Sequence, residues 1–340
     1  MTQTVKVTCE YCQKAYGISR DRIKELGGRV SFTCPSCKQK VSFDFRKPEK
    51  SVSVDTGGLP SGVQLRSEIV EAVRDLPAMP QVVQKAQQVM TDESSGIADL
   101  TRVIETDQAI AARVLKLANS AFYNARGKVA SLQTASVMLG MKTLNELLTL
   151  ACTARMLDSK LDGYNMQAGD LWRHSLAVAG CARAMADKKD PELADDAFAA
   201  GLIHDCGKLV LDTHMARRRS AVSAFLAGGE KSFLDAEKEV LGFDHAQIAA
   251  DICSKWFVPK HVASAVKYHH APHILKKDML TAIVHAADAI VLMSSADAKK
   301  NGSAGKIDAG VMKLLDLNDS QISMFLALSI EYFNMVVRAV

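Results

Sequence analysis

A mostly α-helical protein, preceded by a small β-type segment held together by metal, is expected from three features of the sequence. From Leu65 onward apolar residues recur at helical spacing almost without interruption. Residues 1–46 instead hold short alternating runs around two Cys-x-x-Cys pairs. Between these regions, residues 47–64 (KPEKSVSVDTGGLPSGVQ) are rich in Pro, Gly, Ser and charge and carry no helical period. The expected organisation is a ribbon at 1–46, a flexible linker at 47–64 and a helical body at 65–340.

In the N-terminal segment the β-type runs are Thr4–Thr8, Arg29–Thr33 and Val41–Phe45. Cys9, Cys12, Cys34 and Cys37 form two knuckles, each placing two thiolates on one side of a tight turn. Together they complete a tetrahedral four-sulfur zinc site. So short a segment has little apolar core, and bound zinc would supply its folding energy. The text VTCEYCQKAY…GGRVSFTCPSCKQKVSF resembles the zinc ribbons at the N-termini of many bacterial proteins. Residues 1–60 carry eleven Lys/Arg against six Asp/Glu, whereas the remainder is close to neutral. Nucleic acid is therefore excluded as the main ligand of the body and left open for the ribbon. Tyr11, Tyr16, Phe32, Phe43 and Phe45 offer either a stacking surface or, more ordinarily, a miniature core.

In the body, Ile69, Val70, Val73 and Leu76 make one apolar stripe, and Val82, Val83, Ala86, Val89 and Met90 a second. Asp107 is placed to cap the helix containing Val114, Leu115 and Leu117. Thr143 and Glu146 read as a capping box, with Gly140 ending the helix before it. Asn119, Ser120 and Tyr123 read as a helix end and turn. Met312–Val340 is apolar enough to pack on the body or to make a dimer contact. Cys152, Cys181, Cys206 and Cys253 are expected to be small buried hydrophobes. No run reaches about 18 consecutive apolar residues, so no membrane span is expected, and without an apolar leader the expected location is the cytoplasm.

The segments LPAMP, VIETDQAIAARVLKLANSAFY and the following LG resemble the HDOD family of bacterial output domains, which are related to HD phosphohydrolases. The resemblance runs from about Leu65 to about Pro272. It implies an all-helical fold and a regulatory role in signal transduction exercised through a protein partner. Members of the family often lack intact HD metal ligands, but the second half of this chain retains them. His174 lies in DLWRHSLAV, His204 and Asp205 in GLIHDCGKLVL, and His245 in GFDHAQIAADI. His269 and His270 lie in YHHAP, and Asp288 in HAADAIVL.

A carboxylate adjacent to an imidazole lets Asp205 bridge two ions while His204 fixes one. His174 and Asp288 would complete the first position, and His245, His269 and His270 the second. Such a pair would activate a water and clamp phosphoryl oxygens. Lys208, one helical turn from His204, would offset phosphate charge or protonate a leaving oxygen, so Lys208 and Asp205 are the candidate catalytic residues. Asp170 is a candidate supporting residue four positions before His174. Mixed His and carboxylate ligands suit iron, manganese or zinc, and the resemblance favours one or two iron or manganese ions. HDCGK also resembles the HD-GYP phosphodiesterases. After His270, however, comes APHILKKDM, without their Glu and Gly-Tyr-Pro run, so their architecture is implied and their substrate is not.

Three functions follow as expectations. The first is a signalling regulator with a supporting metal centre. The second is a metal-dependent phosphohydrolase or phosphodiesterase acting on a phosphoester or cyclic dinucleotide. The third is a nucleic-acid regulator working through the ribbon. Cys206, beside Asp205, offers a redox-sensitive group. His214, His261, His273 and His285 are expected at the surface or in packing, and Arg217–Arg218–Arg219 on a solvated helix face.

Overall fold

The computed structural model describes residues 4–8, 14–25, 29–44, 59–75, 81–92, 94–119, 129–227, 231–256, 258–294 and 305–337. The N-terminal segment consists of two antiparallel hairpins. Strand β1 (Thr4–Thr8) pairs with β2 (Ala15–Ser19), with Thr4 opposite Ser19. A short helix α1 (Arg20–Glu25) follows, and then β3 (Arg29–Thr33) pairs with β4 (Lys40–Asp44). Two of the expected strands have the expected bounds, and the third is shifted by one residue. Strand β2 and helix α1 were not anticipated, because AYGIS is short and its alternation is broken by Gly17.

The remainder of the described chain is helical. First come α2 (Gly62–Asp75), α3 (Gln81–Thr91), α4 (Ile97–Glu105), α5 (Gln108–Ala118) and α6 (Leu132–Leu157). Then follow α7 (Asp170–Lys189), α8 (Ala194–Ile203), α9 (Gly207–Arg217), α10 (Arg219–Leu226) and α11 (Phe233–Val240). The last are α12 (His245–Lys255), α13 (Lys260–Tyr268), α14 (Met279–Ser294), α15 (Ala309–Leu314) and α16 (Asp319–Val337). The protein is therefore mostly α, with its strands confined to the small N-terminal segment. Among the described residues no helix is long and apolar enough to cross a membrane.

Local chemistry explains several boundaries. Asp107 caps α5 by accepting from the amides of Ala109 (3.0 Å) and Ile110 (3.1 Å). Asn119 ends that helix and closes the loop beyond it. Its amide nitrogen donates to the carbonyls of Leu115 and Val129, and its oxygen accepts from the Val129 amide at 2.7 Å. Ser120 and Tyr123 lie outside the described residues. Gly140 has φ +81° inside α6 and so breaks it into two helical stretches.

The capping box expected at Thr143 and Glu146 does not form, because the second stretch already begins ahead of Thr143. Glu146 is instead buried and pairs with Arg183 of α7, and the Tyr332 hydroxyl donates to it at 3.2 Å. That ion pair joins the first half of the body to the second.

Helix α7 is the central element. Leu176, Val178, Ala179, Cys181 and Ala182 are fully buried, and α8, α14 and α16 pack around them. Phe325 and Val336 of α16 are fully buried, and the Ser329 hydroxyl donates to the Ala177 carbonyl at 2.9 Å. The C-terminal apolar segment is thus part of the core. Helix α2 docks on α12 through Arg66, which pairs with Asp251 (2.9 Å) and Gln247 (2.8 Å).

Arg218 corrects the expectation of a solvated arginine face. It is buried, and its guanidinium donates to the His214 carbonyl (3.1 Å) and to the Pro60 carbonyl. The chain is therefore anchored to the body from Pro60, and α2 begins at Gly62 rather than Leu65.

Where α9 crosses α12, Gly207 allows close approach. A Cβ at this position would lie 2.0 Å from the His245 carbonyl oxygen and 2.9 Å from the Ala249 amide. Backbone atoms cannot move aside as a flexible side chain would. Gly207→Ala is expected to force α9 and α12 apart and to lower stability by about 1–3 kcal/mol, read as a lower urea midpoint. An unchanged midpoint would show that this crossing tolerates expansion.

Candidate metal centre

Seven of the sequence-selected side chains converge between α7, the α8–α9 turn, α12, the end of α13 and α14. His174 comes from α7 and Asp288 from α14; His204 and Asp205 lie in the turn after α8; His245 opens α12; His269 and His270 follow α13. His204, Asp205, His245, His269 and Asp288 are buried. Three overlapping groups have ligand atoms all within 4.8 Å of one another: Asp205–His245–His269–His270, His174–His204–Asp205 and His204–His269–Asp288.

The two oxygens of Asp205 face different partners. Oδ1 lies 3.0 Å from His245 Nε2. Oδ2 lies 3.6 Å from His174 Nε2 and 3.5 Å from His204 Nε2, and it accepts from Lys208 Nζ at 2.6 Å. Asp288 Oδ1 lies 3.1 Å from His174 Nε2. His270 Nε2 lies 2.9 Å from His245 Nε2. This is the disposition a carboxylate needs to span two positive centres.

The backbone fixes the imidazole tautomers. His204 Nδ1 donates to the Gly201 carbonyl at 2.7 Å, and His269 Nδ1 donates to the Val266 carbonyl at 2.6 Å. A carbonyl only accepts, so Nδ1 carries the proton and Nε2 presents its lone pair. Both Nε2 atoms are buried without a hydrogen-bond partner among the described residues. A buried lone pair left unmatched is costly in a folded interior. Two such atoms aimed among carboxylates and further imidazoles fit a cation of transition-metal type.

His245 is held differently. Its Nδ1 donates to Glu237 (2.8 Å to Oε2), and its backbone amide donates to the same carboxylate at 2.7 Å. Glu237 also accepts from the Tyr164 hydroxyl at 2.7 Å and is fully buried. Glu237 and Tyr164 were not singled out from the sequence, since Glu237 sits in LDAEKEV, which reads as an ordinary charged helix face. Its position eight residues before His245 was the one available signal.

His285, expected in packing, is there with a supporting role. Its Nδ1 donates to the His269 carbonyl (2.7 Å), and its Nε2 accepts from the Asp308 amide (2.9 Å). Asp170 turns away from the cluster: it accepts from the Gln167 amide and pairs with Arg173 at 2.5 Å. His261 pairs with Asp196 at the surface.

Charge follows burial and neighbours. Burial lowers His204, pushes His269 down to about 3 and holds His270 well below the usual range. Burial also opposes the His245 imidazolium, but the Glu237 carboxylate outweighs it and lifts this group to about 10. Burial likewise opposes ionisation of Asp205, yet Lys208, His204 and His245 hold its carboxyl well below the ordinary carboxylate range. Burial pushes the Cys206 thiol well up, which keeps it protonated and weakens the redox expectation.

In the N-terminal segment Cys34 is buried and Cys37 partly so, with the Lys38 amide donating to the Cys34 carbonyl at 2.9 Å. Burial disfavours the Cys34 thiolate, but the Tyr16 hydroxyl (3.1 Å from Sγ) and the amides of Cys37 and Ser36 prevail and lower it to about 6. Such a knuckle suits a metal-bound thiolate. Cys9 and Cys12 lie outside the described residues. Tyr16 and Phe32 meet edge to face, with centroids 5.9 Å apart, and pack on Cys34 and Val41 as a miniature core.

The metal-free protein should respond to pH on both sides of neutrality. The depressed histidines contribute stability that is full above the unfolded value of about 6.5 and is lost as acid carries the pH down toward about 3. His245 behaves oppositely: its contribution is full below about 6.5 and is lost as pH rises through about 10. Chelator-treated protein is expected to show its highest urea midpoint near neutrality, and Glu237→Gln should flatten the alkaline fall. An alkaline fall unchanged by that substitution would contradict the assignment to His245.

Comparison with known proteins places the chain in a family. The HDOD domain model matches residues 76–272. A protein of Treponema pallidum (strain Nichols) is 25% identical over 215 residues, which is 62% of this chain and 40% of the relative. The chain thus spans well under half of that curated relative. A candidate phosphohydrolase from Shewanella amazonensis SB2B superposes with TM-score 0.58 at 25% identity, covering 79% of this chain and 97% of that one. A candidate signal transduction protein from Marinobacter aquaeolei VT8 superposes with TM-score 0.62 at 21% identity, covering 94% and 76%. With its helical body matched across more than half of the whole sequence, the chain belongs to the HDOD domain family.

Proposed function

We propose that this chain is a signalling regulator that has kept a His/Asp metal centre, with a zinc-bound ribbon at residues 1–46 and an HDOD body joined to it by a linker that starts at residue 47 and ends before Pro60. The observation that carries the metal centre is the pair of buried, unpartnered Nε2 atoms of His204 and His269, set around a carboxylate that faces two ligand groups. His174, His204 and Asp288 would hold one ion and His245, His269 and His270 a second, with Asp205 between them. Iron or manganese suits these donors, as zinc suits Cys9, Cys12, Cys34 and Cys37. The regulatory reading is favoured by the small opening at the cluster, a cavity of about 130 Å³. It is far below the several hundred Å³ in which proteins usually enclose a drug-sized ligand. A partner protein would then read the state of the body.

Phosphoester hydrolysis is the second reading, favoured by Lys208. Its ammonium lies 2.6 Å from Asp205 and lines that cavity together with His270. Bound ions would supply an activated water and a clamp for phosphoryl oxygens. Lys208 would balance the charge of a bound phosphate, and Asp205 would hold the water-facing side of the site in place. A cavity of this size takes a phosphate head more readily than a whole cyclic dinucleotide. The likeness to the Shewanella amazonensis protein agrees with this chemistry.

Elemental analysis of native protein, Asp205→Ala and Cys34→Ser separates the parts. Native protein is expected to hold zinc plus iron or manganese. Asp205→Ala should lose the iron or manganese alone, and Cys34→Ser the zinc alone. Iron and manganese absent from native protein, or unaffected by Asp205→Ala, would refute the centre. For hydrolysis, metal-loaded protein is assayed with p-nitrophenyl phosphate. Turnover reduced by roughly a hundredfold or more in Lys208→Ala would favour the second reading, and no turnover would favour the first.

A further inference from the structure

A second cavity, of about 420 Å³, lies between α5, the end of α6 and the start of α7 and shares no residue with the metal cluster. Its apolar floor includes Leu117, Leu150 and Ala151, all buried. Its wall includes Trp172, which is 8% exposed. Its rim carries Arg113, Lys116 and Arg173 with the carboxylate of Asp158. Arg113 reaches the Ala151 carbonyl at 3.5 Å, and Arg173 pairs with Asp170, a second carboxylate at the mouth.

We infer that this cavity is a binding site for an amphipathic aromatic anion, a small molecule with a flat apolar body and a phosphate, sulfonate or carboxylate group. The volume lies in the range that encloses such molecules. The floor takes the apolar body, and the ring of Trp172 borders it. Arg113 and Lys116 on α5 and Arg173 on α7 outnumber the carboxylates of Asp158 and Asp170 around the mouth, which favours an anion there, and an arginine grips an oxyanion through paired donors. The acidic lining of the larger cavity beside Arg183, with Glu146, Glu192, Asp195 and Asp196, has the opposite charge preference. Helix α7 carries Trp172 and Arg173 to this cavity and His174 to the metal cluster, so one helix borders both.

The test is titration of the full chain with anilinonaphthalene sulfonate, followed by probe emission and by energy transfer from tryptophan. Native protein should bind it saturably at one site. Arg113→Glu and Arg173→Glu should each weaken binding about tenfold or more. The neutral analogue N-phenylnaphthylamine should bind at least about tenfold more weakly than the sulfonate. Lys306→Glu, at the metal cavity, should change nothing. Should a charge reversal unfold the chain, Arg113→Gln on the exposed face of α5 takes its place with the same direction expected. Binding indifferent to Arg113 and Arg173, equal affinity for the neutral analogue, or loss in Lys306→Glu would each overturn the inference.

Discussion

A carboxylate removed from water sets the terms for the centre of this molecule. Asp205 is 2% exposed, and an ionised carboxylate in such a place is tolerated only if its neighbours return what water would have supplied. Lys208 and the imidazole of His245 do so on opposite oxygens. Four further imidazoles and Asp288 crowd the same point. Such a cluster can form only if α7, α9, α12 and α14 all reach it. The contact of Gly207 with the backbone of α12 and the small buried residues of α7 are what allow the helices that close.

Around that point lies a second layer of hydrogen bonds that fixes which nitrogen of each ring faces inward. Gly201 and Val266 supply carbonyls, and Glu237 supplies a carboxylate to His245. Tyr164 satisfies the remaining demand of Glu237 from the turn ahead of α7, while His285 ties the His269 backbone to the start of α15. A buried polar network is costly when partly satisfied and rigid when complete. The inward Nε2 atoms of His204 and His269 are where this network stops short, and the proposed metal sites lie there.

Helix α7 relates the parts of the body to one another. Arg183 near its C-terminal end joins Glu146 and so ties the first helices to the second half. Trp172 and His174 stand near its beginning on different sides. Helix α7 thus borders both the His/Asp cluster and the cavity beside Trp172.

The helical class, three of the four N-terminal strands and the seven clustered His and Asp residues were legible in the sequence, because each depends on local spacing or on a residue type with few other uses. Apolar periodicity, the Cys34–Cys37 knuckle, the capping Asp107 and the adjacent His204–Asp205 pair are all of this kind. Glu237, Tyr164 and the buried Arg218 were not legible, since Glu, Tyr and Arg are ordinary on helix surfaces and only their long-range partners give them meaning. Thr143 and Glu146 show the limit from the other side: a good local capping pattern falls inside a helix that already begins after Gly140, and Glu146 pairs with Arg183 instead. Local sequence settled where most of the helices lie and which residue types are available to the His/Asp cluster. The tertiary structure decided the orientation of each imidazole, the burial of Glu237 and the cavity beside Trp172, because those depend on distances between residues far apart along the chain.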